Sequence, residues 1–156
     1  EKTDVEQLEP AYATLSAMFQ YMIGNTDWSM REAPEGANCC HNGRILGPAD
    51  QDTGWRVVPY DFDQAGLVDA EYAKPAAQFR LRSVRQRLWR GRCVHNGELD
   101  AAIALFNERR EAIEAALIVP GMRDTWTPMK YIEAFYRVIN DPKKLQKSIE
   151  RRCLAN

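Results

Sequence analysis

Asp27, Asn42, Asp61 and Asp63 are the residues of this chain whose types and order could do chemistry. Asp27 lies in the polar stretch Ile23-Gly24-Asn25-Thr26-Asp27-Trp28-Ser29. Asn42 follows Cys40-His41 and precedes the short apolar run Ile45-Leu46. Asp61 and Asp63 follow a second apolar run, in Val58-Pro59-Tyr60-Asp61-Phe62-Asp63. Phosphoryl transfer needs such a series: a carboxylate beside the attacking hydroxyl, an amide oxygen on a metal, and a carboxylate on the same metal cluster. Asp61 and Asp63 alternate along one extended stretch and can face one side. Two carboxylates there repel unless a cation or an arginine lies between them. Each residue also has a plainer role open to it. Asp27 beside Asn25 could cap a turn, and Asn42 could be an ordinary turn residue before Gly43. The Asp pair could sit in a salt bridge to Arg85, Arg87 or Arg90. His41 reads as a hydrogen-bonding anchor of the loop.

The elements that must position these residues are mostly helical. Val5, Leu8, Tyr12, Leu15, Phe19 and Met22 recur at helical spacing up to Ile23, and Gly24 stops the run. Pro10 predicts that the regular helix begins near Glu9. Residues 24–40 are polar, with Pro34 and Gly36, and read as a loop. Residues 44–47 and 55–60 are strand candidates joined by a turn-rich connection, which predicts a hairpin. Gly66 to Gln78 reads as irregular, and Ser83 to Arg90 as a short basic helix. Glu98 to Ile118 carries Leu99, Ile103, Leu105, Phe106, Ile113, Ala116 and Leu117 on an apolar face, with Glu108 to Glu111 solvated. Thr127 as N-cap and Pro128 at the first position open a helix to Ile139. A last helix spans Pro142 to Arg152. The expected class is mainly α (α+β), with helices around one small β-hairpin.

The 156 residues suffice for one domain with a real core. A net charge of −1 gives no general case for nucleic acid as a partner. No apolar run approaches the ~18 residues needed to cross a bilayer, so no membrane span is expected. Cys39, Cys40, Cys93 and Cys153 are too few for a disulfide scaffold. Cys93 with Cys153 is the plausible long-range bridge, whereas the neighbours Cys39 and Cys40 read as poorly placed to pair. A bridged Cys93 and Cys153 would favour a periplasmic or exported location over the cytoplasm. The alternative is a zinc site drawn from Cys39-Cys40-His41 and Cys93-Val94-His95. The six arginines from Arg80 to Arg92 read as a solvated helix face, or as a phosphate-binding or tethering cluster. The four tryptophans read as core and seam aromatics.

The order helix, polar loop, hairpin, loop and helices resembles the C-terminal lobe of a protein kinase-like fold. Asn25-Thr26-Asp27 with His41-Asn42 resembles the N-x-D…H-x-x-N catalytic loop of HipA-like kinases. Pro59-Tyr60-Asp61-Phe62-Asp63 resembles the Tyr-Asp metal motif of that group and the Pro-Trp-Asp-x-Asp motif of CotH-type kinases. The stretch from Ile23 to about Tyr72 is also similar to uncharacterised bacterial proteins that pair Gly-Asn-Thr-Asp-Trp-Ser with Pro-Tyr-Asp-Phe-Asp. The resemblance implies an ATP-dependent phosphotransferase. Asp27 would be catalytic, with Asn25 and His41 supporting it. Asn42, Asp61 and Asp63 would hold Mg²⁺ against the nucleotide, and the acceptor substrate is unknown. It requires residues 28–41 to loop out and return, because the kinase families keep the Asp and the Asn about five residues apart. No Gly-rich phosphate loop and no ATP-contacting Lys precede residue 5. The resemblance thus implies the C-terminal part of a longer protein, inactive as this piece. Two other classes stay open: a non-catalytic pseudokinase-like scaffold or interaction domain, and metal-dependent hydrolysis.

Overall fold

Helix α1 (Pro10–Ile23) begins where Pro10 and Glu9 direct it. The Glu9 carboxylate caps the first turn, accepting from the backbone N–H groups of Ala11 at 3.1 Å and Tyr12 at 2.8 Å. Gly24 ends the helix with φ +68°, the left-handed conformation that favours glycine. A side chain there would also strike the Tyr131 hydroxyl. The computed structural model describes residues 3–33, 35–36 and 39–155.

The expected hairpin is present. Strands β1 (Gly43–Leu46) and β2 (Arg56–Pro59) pair antiparallel, with Gly43 opposite Pro59 and Leu46 opposite Arg56. Beyond β2 come irregular chain, then α2 (Leu99–Glu108), α3 (Arg110–Ala116), α4 (Trp126–Ile139) and α5 (Pro142–Ser148). The fold is mainly helical, with this one two-stranded sheet among the described residues.

The main core is aromatic and lies between α1, α2 and α4. Met18, Ile132, Phe135 and Ile149 are fully buried. Phe135 meets Phe106 edge-on at 5.5 Å between ring centroids and Tyr136 at 5.1 Å. Tyr21 of α1 meets Trp89 edge-on at 5.9 Å. A smaller cluster, with Leu8, Ala13 and Val57, joins the hairpin to the start of α1.

Several local expectations give way to tertiary contacts. Ser83 to Arg90 is not a helix but an irregular strap, because Arg87 and Arg90 turn inward to backbone carbonyls far away in sequence. The expected helix from Glu98 to Ile118 is two helices meeting at Arg109, preceded by a 3₁₀ segment, Cys93–Glu98. Helix α4 starts before Thr127. The Asp124 carboxylate accepts from the N–H groups of Trp126 and Thr127, so Asp124 does the capping expected of Thr127. Helix α5 stops at Ser148, and Glu150–Arg152 tightens into a 3₁₀ turn. Trp126 is 67% exposed, unlike the buried Trp28 and Trp89, and the Lys130 ammonium lies over its ring.

Both cysteine pairs are bridged. Cys93 and Cys153 lie 4.9 Å apart at Cα and join the start of the 3₁₀ segment to the C-terminal end. Two backbone hydrogen bonds flank the bridge, Cys93 N–H to the Leu154 carbonyl (3.0 Å) and Leu154 N–H to that of Gly91 (2.8 Å). Cys39 and Cys40 are also bridged, against expectation. Their peptide is cis, which brings the two Cα atoms to 3.0 Å instead of the ~3.8 Å of a trans peptide. With all four sulfurs in S–S bonds, none is a thiolate for zinc.

The Cys93–Cys153 bridge spans 60 residues of sequence. In the chain-entropy account such a loop contributes about 4 kcal/mol. Replacing both cysteines by serine should lower the unfolding free energy by about that much in urea titration, and an unchanged midpoint would show the bridge to be idle.

Candidate functional site

Asp27 is delivered by a sharp exit from α1. Asn25 N–H returns to the Gln20 carbonyl at 2.9 Å, and the Asn25 side-chain oxygen accepts the Asp27 N–H at 2.9 Å. This is a local turn closed by a side-chain amide. The Asn25 carbonyl accepts the Trp28 indole N–H at 3.0 Å. Asn25 is 1% exposed, so it anchors the loop from within and offers no contact to solvent. Its Nδ2 has no hydrogen-bond partner among the described residues.

His41 and Asn42 come back against the chain that follows Asp27. Ser29 N–H bonds the His41 carbonyl at 3.0 Å, and His41 N–H bonds the Glu32 carbonyl at 2.8 Å. Below these, the disulfide sulfur of Cys40 lies 3.1 Å from the Met30 carbonyl. Thr3, 1% exposed, donates its hydroxyl to Cys39 Sγ at 3.1 Å. The closure puts His41 and Asn42 against Asp27.

Both oxygens of the Asp27 carboxylate are engaged there. His41 Nε2 lies 2.9 Å from Oδ1, and Asn42 Nδ2 lies 3.1 Å from Oδ2. Asn42 Nδ2 also donates to the Asp27 carbonyl at 2.7 Å. An ionised carboxylate only accepts, so the shared proton sits on His41 Nε2. The same argument orients the Asn42 amide. Both atoms it faces are acceptors, so Nδ2 points at Asp27 and Oδ1 is left as an acceptor for another group. Asn42 holds a left-handed backbone, φ +51°, a conformation asparagine tolerates better than most residues.

The hairpin then carries the chain back to the same place. Asn42 precedes β1 and Tyr60 follows β2, and Tyr60 N–H donates to the Asn42 carbonyl at 3.0 Å. Asp61, the next residue, also has a left-handed backbone, φ +60°. Asp61 is exposed and Asp63 half-buried. Both act on Tyr72: the negative charge of Asp63, with smaller contributions from burial, its hydrogen bond and Asp61, pushes the Tyr72 hydroxyl above its usual range. The two carboxylates therefore share a neighbourhood, and Asp63 also accepts from the Gln64 side chain at 3.3 Å. Arg85, Arg87 and Arg90 do not supply the expected salt bridge. Arg85 pairs with Asp69 at 2.8 Å, and the other two bond carbonyls.

Arg90 is the functional-site residue that sequence reading missed. It reads as part of a solvated basic face, yet its guanidinium donates to the carbonyls of Thr26, at 2.7 Å, and Trp28, on either side of Asp27. It stacks over the rings of Trp28 and Phe79. Burial pushes Arg90 down to about 10, with Arg92 repelling it and Asp27 and Glu32 supporting its charge. It remains a cation at neutral pH. The only available signal was negative: no Asp or Glu lies between Tyr72 and Gly97 to pair with these arginines locally.

Beside Asp27 opens a cleft of about 220 Å³ lined by Thr26, Ser29, Glu32, His41, Gln78 and Arg90, among others. It is polar and wide enough for a hydroxyl-bearing substituent to reach the carboxylate. No cluster of three or more His, Cys, Asp or Glu side chains able to hold a metal occurs among the described residues. Among the described residues no helix is long and apolar enough to cross a membrane.

Replacing Arg90 with leucine strands two carbonyls next to Asp27. The expected cost is about 2–3 kcal/mol in urea unfolding, with a shifted His41 ring resonance. A variant as stable as the parent, with an unmoved resonance, would show that Arg90 does not position the loop. No protein family, no characterised protein sequence and no solved structure matches the chain.

Proposed function

We propose that this chain carries the metal-binding and catalytic half of an ATP-dependent phosphotransferase, built as a kinase-like C-terminal lobe. One observation carries the reading. The Asn42 amide clamps Asp27 through both its carbonyl and its carboxylate, while the Asn42 main chain holds Tyr60 and hence the neighbouring Asp61. A carboxylate, an amide oxygen and a second carboxylate are thereby joined through one residue, as phosphoryl transfer to a hydroxyl requires.

In this reading Asp27 accepts a hydrogen bond from the acceptor hydroxyl and takes its proton as the oxygen attacks. Each carboxylate oxygen can accept more than one hydrogen bond, so the bonds from His41 and Asn42 orient Asp27 without saturating it. His41 fixes the plane of the carboxylate. Asn42 Oδ1 and Asp61 would hold Mg²⁺, with Asp63 supporting Asp61 or a second ion. Mg-ATP supplies the phosphoryl group, and bound Mg²⁺ offsets the charge on the nucleotide phosphates. The donors are all oxygen, which fits this hard cation. In this reading the groups that position the nucleotide phosphates would have to come from outside these 156 residues. The acceptor is a hydroxyl compound small or extended enough to enter the Asp27 cleft.

A second reading has its own support. Both Asp27 oxygens are already bonded within the loop, as they would be in a structural lock. On that reading the domain is a pseudokinase-like scaffold acting through its helical surface.

The full-length gene product should form ADP from Mg-ATP. Asp27→Asn should slow this by about 10²–10⁴-fold, and Asp61→Ala should abolish it, with circular dichroism unchanged in both. The 156-residue chain by itself should show no turnover. Robust turnover by the short chain would refute the need for outside groups, and an active Asp61→Ala protein would refute the metal assignment. A full-length protein that is folded but inert with ATP would favour the scaffold.

A further inference from the structure

The charges of this chain are segregated in space although they nearly cancel in number. Seven of its 21 Lys and Arg lie between Tyr72 and Gly97, a stretch with no Asp or Glu. Five more lie in residues 142–152, against Glu150 alone. The fold joins these two stretches. The Cys93–Cys153 bridge and the pairing of Arg92 with Leu154 bring the end of the chain onto the strap.

At the junction lies a cleft of about 270 Å³, lined by Tyr21, Arg87, Trp89, Lys147, Ser148 and Arg152, among others. None of its lining residues is acidic. Lys147 and Arg152 have no salt-bridge partner among the described residues, and both are exposed. The Tyr21 hydroxyl lies beside the Ser148 hydroxyl, which adds O–H donors to the cations.

Arg87 is the telling residue. Its Nε and Nη2 donate to the carbonyls of Met22 and Tyr131, and its guanidinium lies 3.7 Å over the Tyr131 ring. Among the described residues no hydrogen bond engages its Nη1 donors. Burial lowers its pKa, Arg85 lowers it further, and the groups that oppose this are Tyr131 and Tyr21, not a carboxylate. A desolvated guanidinium without an opposite charge is costly, and an anion brought to it removes that cost.

We propose that this cleft binds a phosphate dianion, free or as a monoester, held by Arg87, Lys147 and Arg152 with the hydroxyls of Tyr21 and Ser148. Three cations around one compact, doubly charged group match its charge, and a guanidinium matches its oxygens in geometry. A nucleic acid strand fits less well. The rings of Tyr21 and Trp89 are 5% and 2% exposed, so neither offers a face for a base to stack on. The site is separate from Asp27 and does not depend on the phosphotransferase reading.

The test is calorimetric titration of the 156-residue chain with inorganic phosphate and with glycerol 3-phosphate, at constant ionic strength set with NaCl. Saturable binding is expected. The double variant Lys147→Gln/Arg152→Gln removes two exposed charges without touching the core, and should weaken binding about tenfold or more. Arg123→Gln/Lys130→Gln, outside the cleft, should leave it unchanged, as should Asp27→Asn. Sedimentation with phosphatidylcholine vesicles, with and without phosphatidic acid, separates the sources. Capture by phosphatidic acid that glycerol 3-phosphate reverses assigns a lipid headgroup, and soluble binding without capture assigns a free phosphate compound. Heat no greater than that of NaCl in every arm, or binding kept by Lys147→Gln/Arg152→Gln, would overturn the proposal.

Discussion

Two half-buried arginines hold this fold at the point where its first helix ends. A helix C-terminus leaves carbonyls without intrahelical partners, and the turn that follows α1 adds more. Arg87 takes the Met22 carbonyl, and Arg90 takes those of Thr26 and Trp28. Each does so from more than 60 residues away in sequence. The donors are charged, so the bonds are stronger than neutral ones, and they stay charged despite burial. The strap between them is irregular: a regular helix over residues 83–90 would put both side chains on one outward face, whereas here Arg87 reaches the Met22 and Tyr131 carbonyls and Arg90 those of Thr26 and Trp28.

Helix α4 completes the arrangement through Tyr131. Its ring lies under Arg87, its carbonyl accepts from Arg87, and its hydroxyl donates to the Arg85 carbonyl at 3.0 Å. The same hydroxyl lies so near Gly24 that a side chain there would collide with it. One tyrosine thus ties the end of α1, the strap and the core helix together.

The candidate site is a second consequence of loop closure. Residues 29–32 and 40–43 pair back on themselves, the Cys39–Cys40 bridge sits beneath them, and the hairpin returns Tyr60 to Asn42. The Asp27 carboxylate then meets His41 and Asn42. Its environment differs from the basic cleft on the other side of the strap. One is a polar pocket with two carboxylates near a single buried cation, the other a group of cations with no carboxylate. A chain of net charge −1 presents both because the strap lies between them.

Local rules in the sequence determined the elements whose causes are themselves local. Pro10 and Gly24 bound α1, the two short β-rich runs flanking a turn form the hairpin, and the apolar spacing finds the buried Leu99 and Phe106 of α2 and the core face of α4, although Leu105 and Ala116, expected on the same apolar face, are exposed. The grouping of Asp27, His41 and Asn42 was legible only from their order along the chain, because each by itself also suits an ordinary turn or loop anchor. Tertiary structure alone decided the rest. Arg87 and Arg90 look solvated in sequence because their partners are main-chain carbonyls, which every residue carries and no motif marks. The Cys39–Cys40 bridge looked excluded because a trans peptide separates neighbouring side chains, and only the loop's cis turn brings them together. The break at Arg109 has no glycine or proline to announce it. Where a residue's partner is a neighbour in the chain, its type suffices to read its role; where the partner arrives from 60 residues away, only the packed chain can supply it.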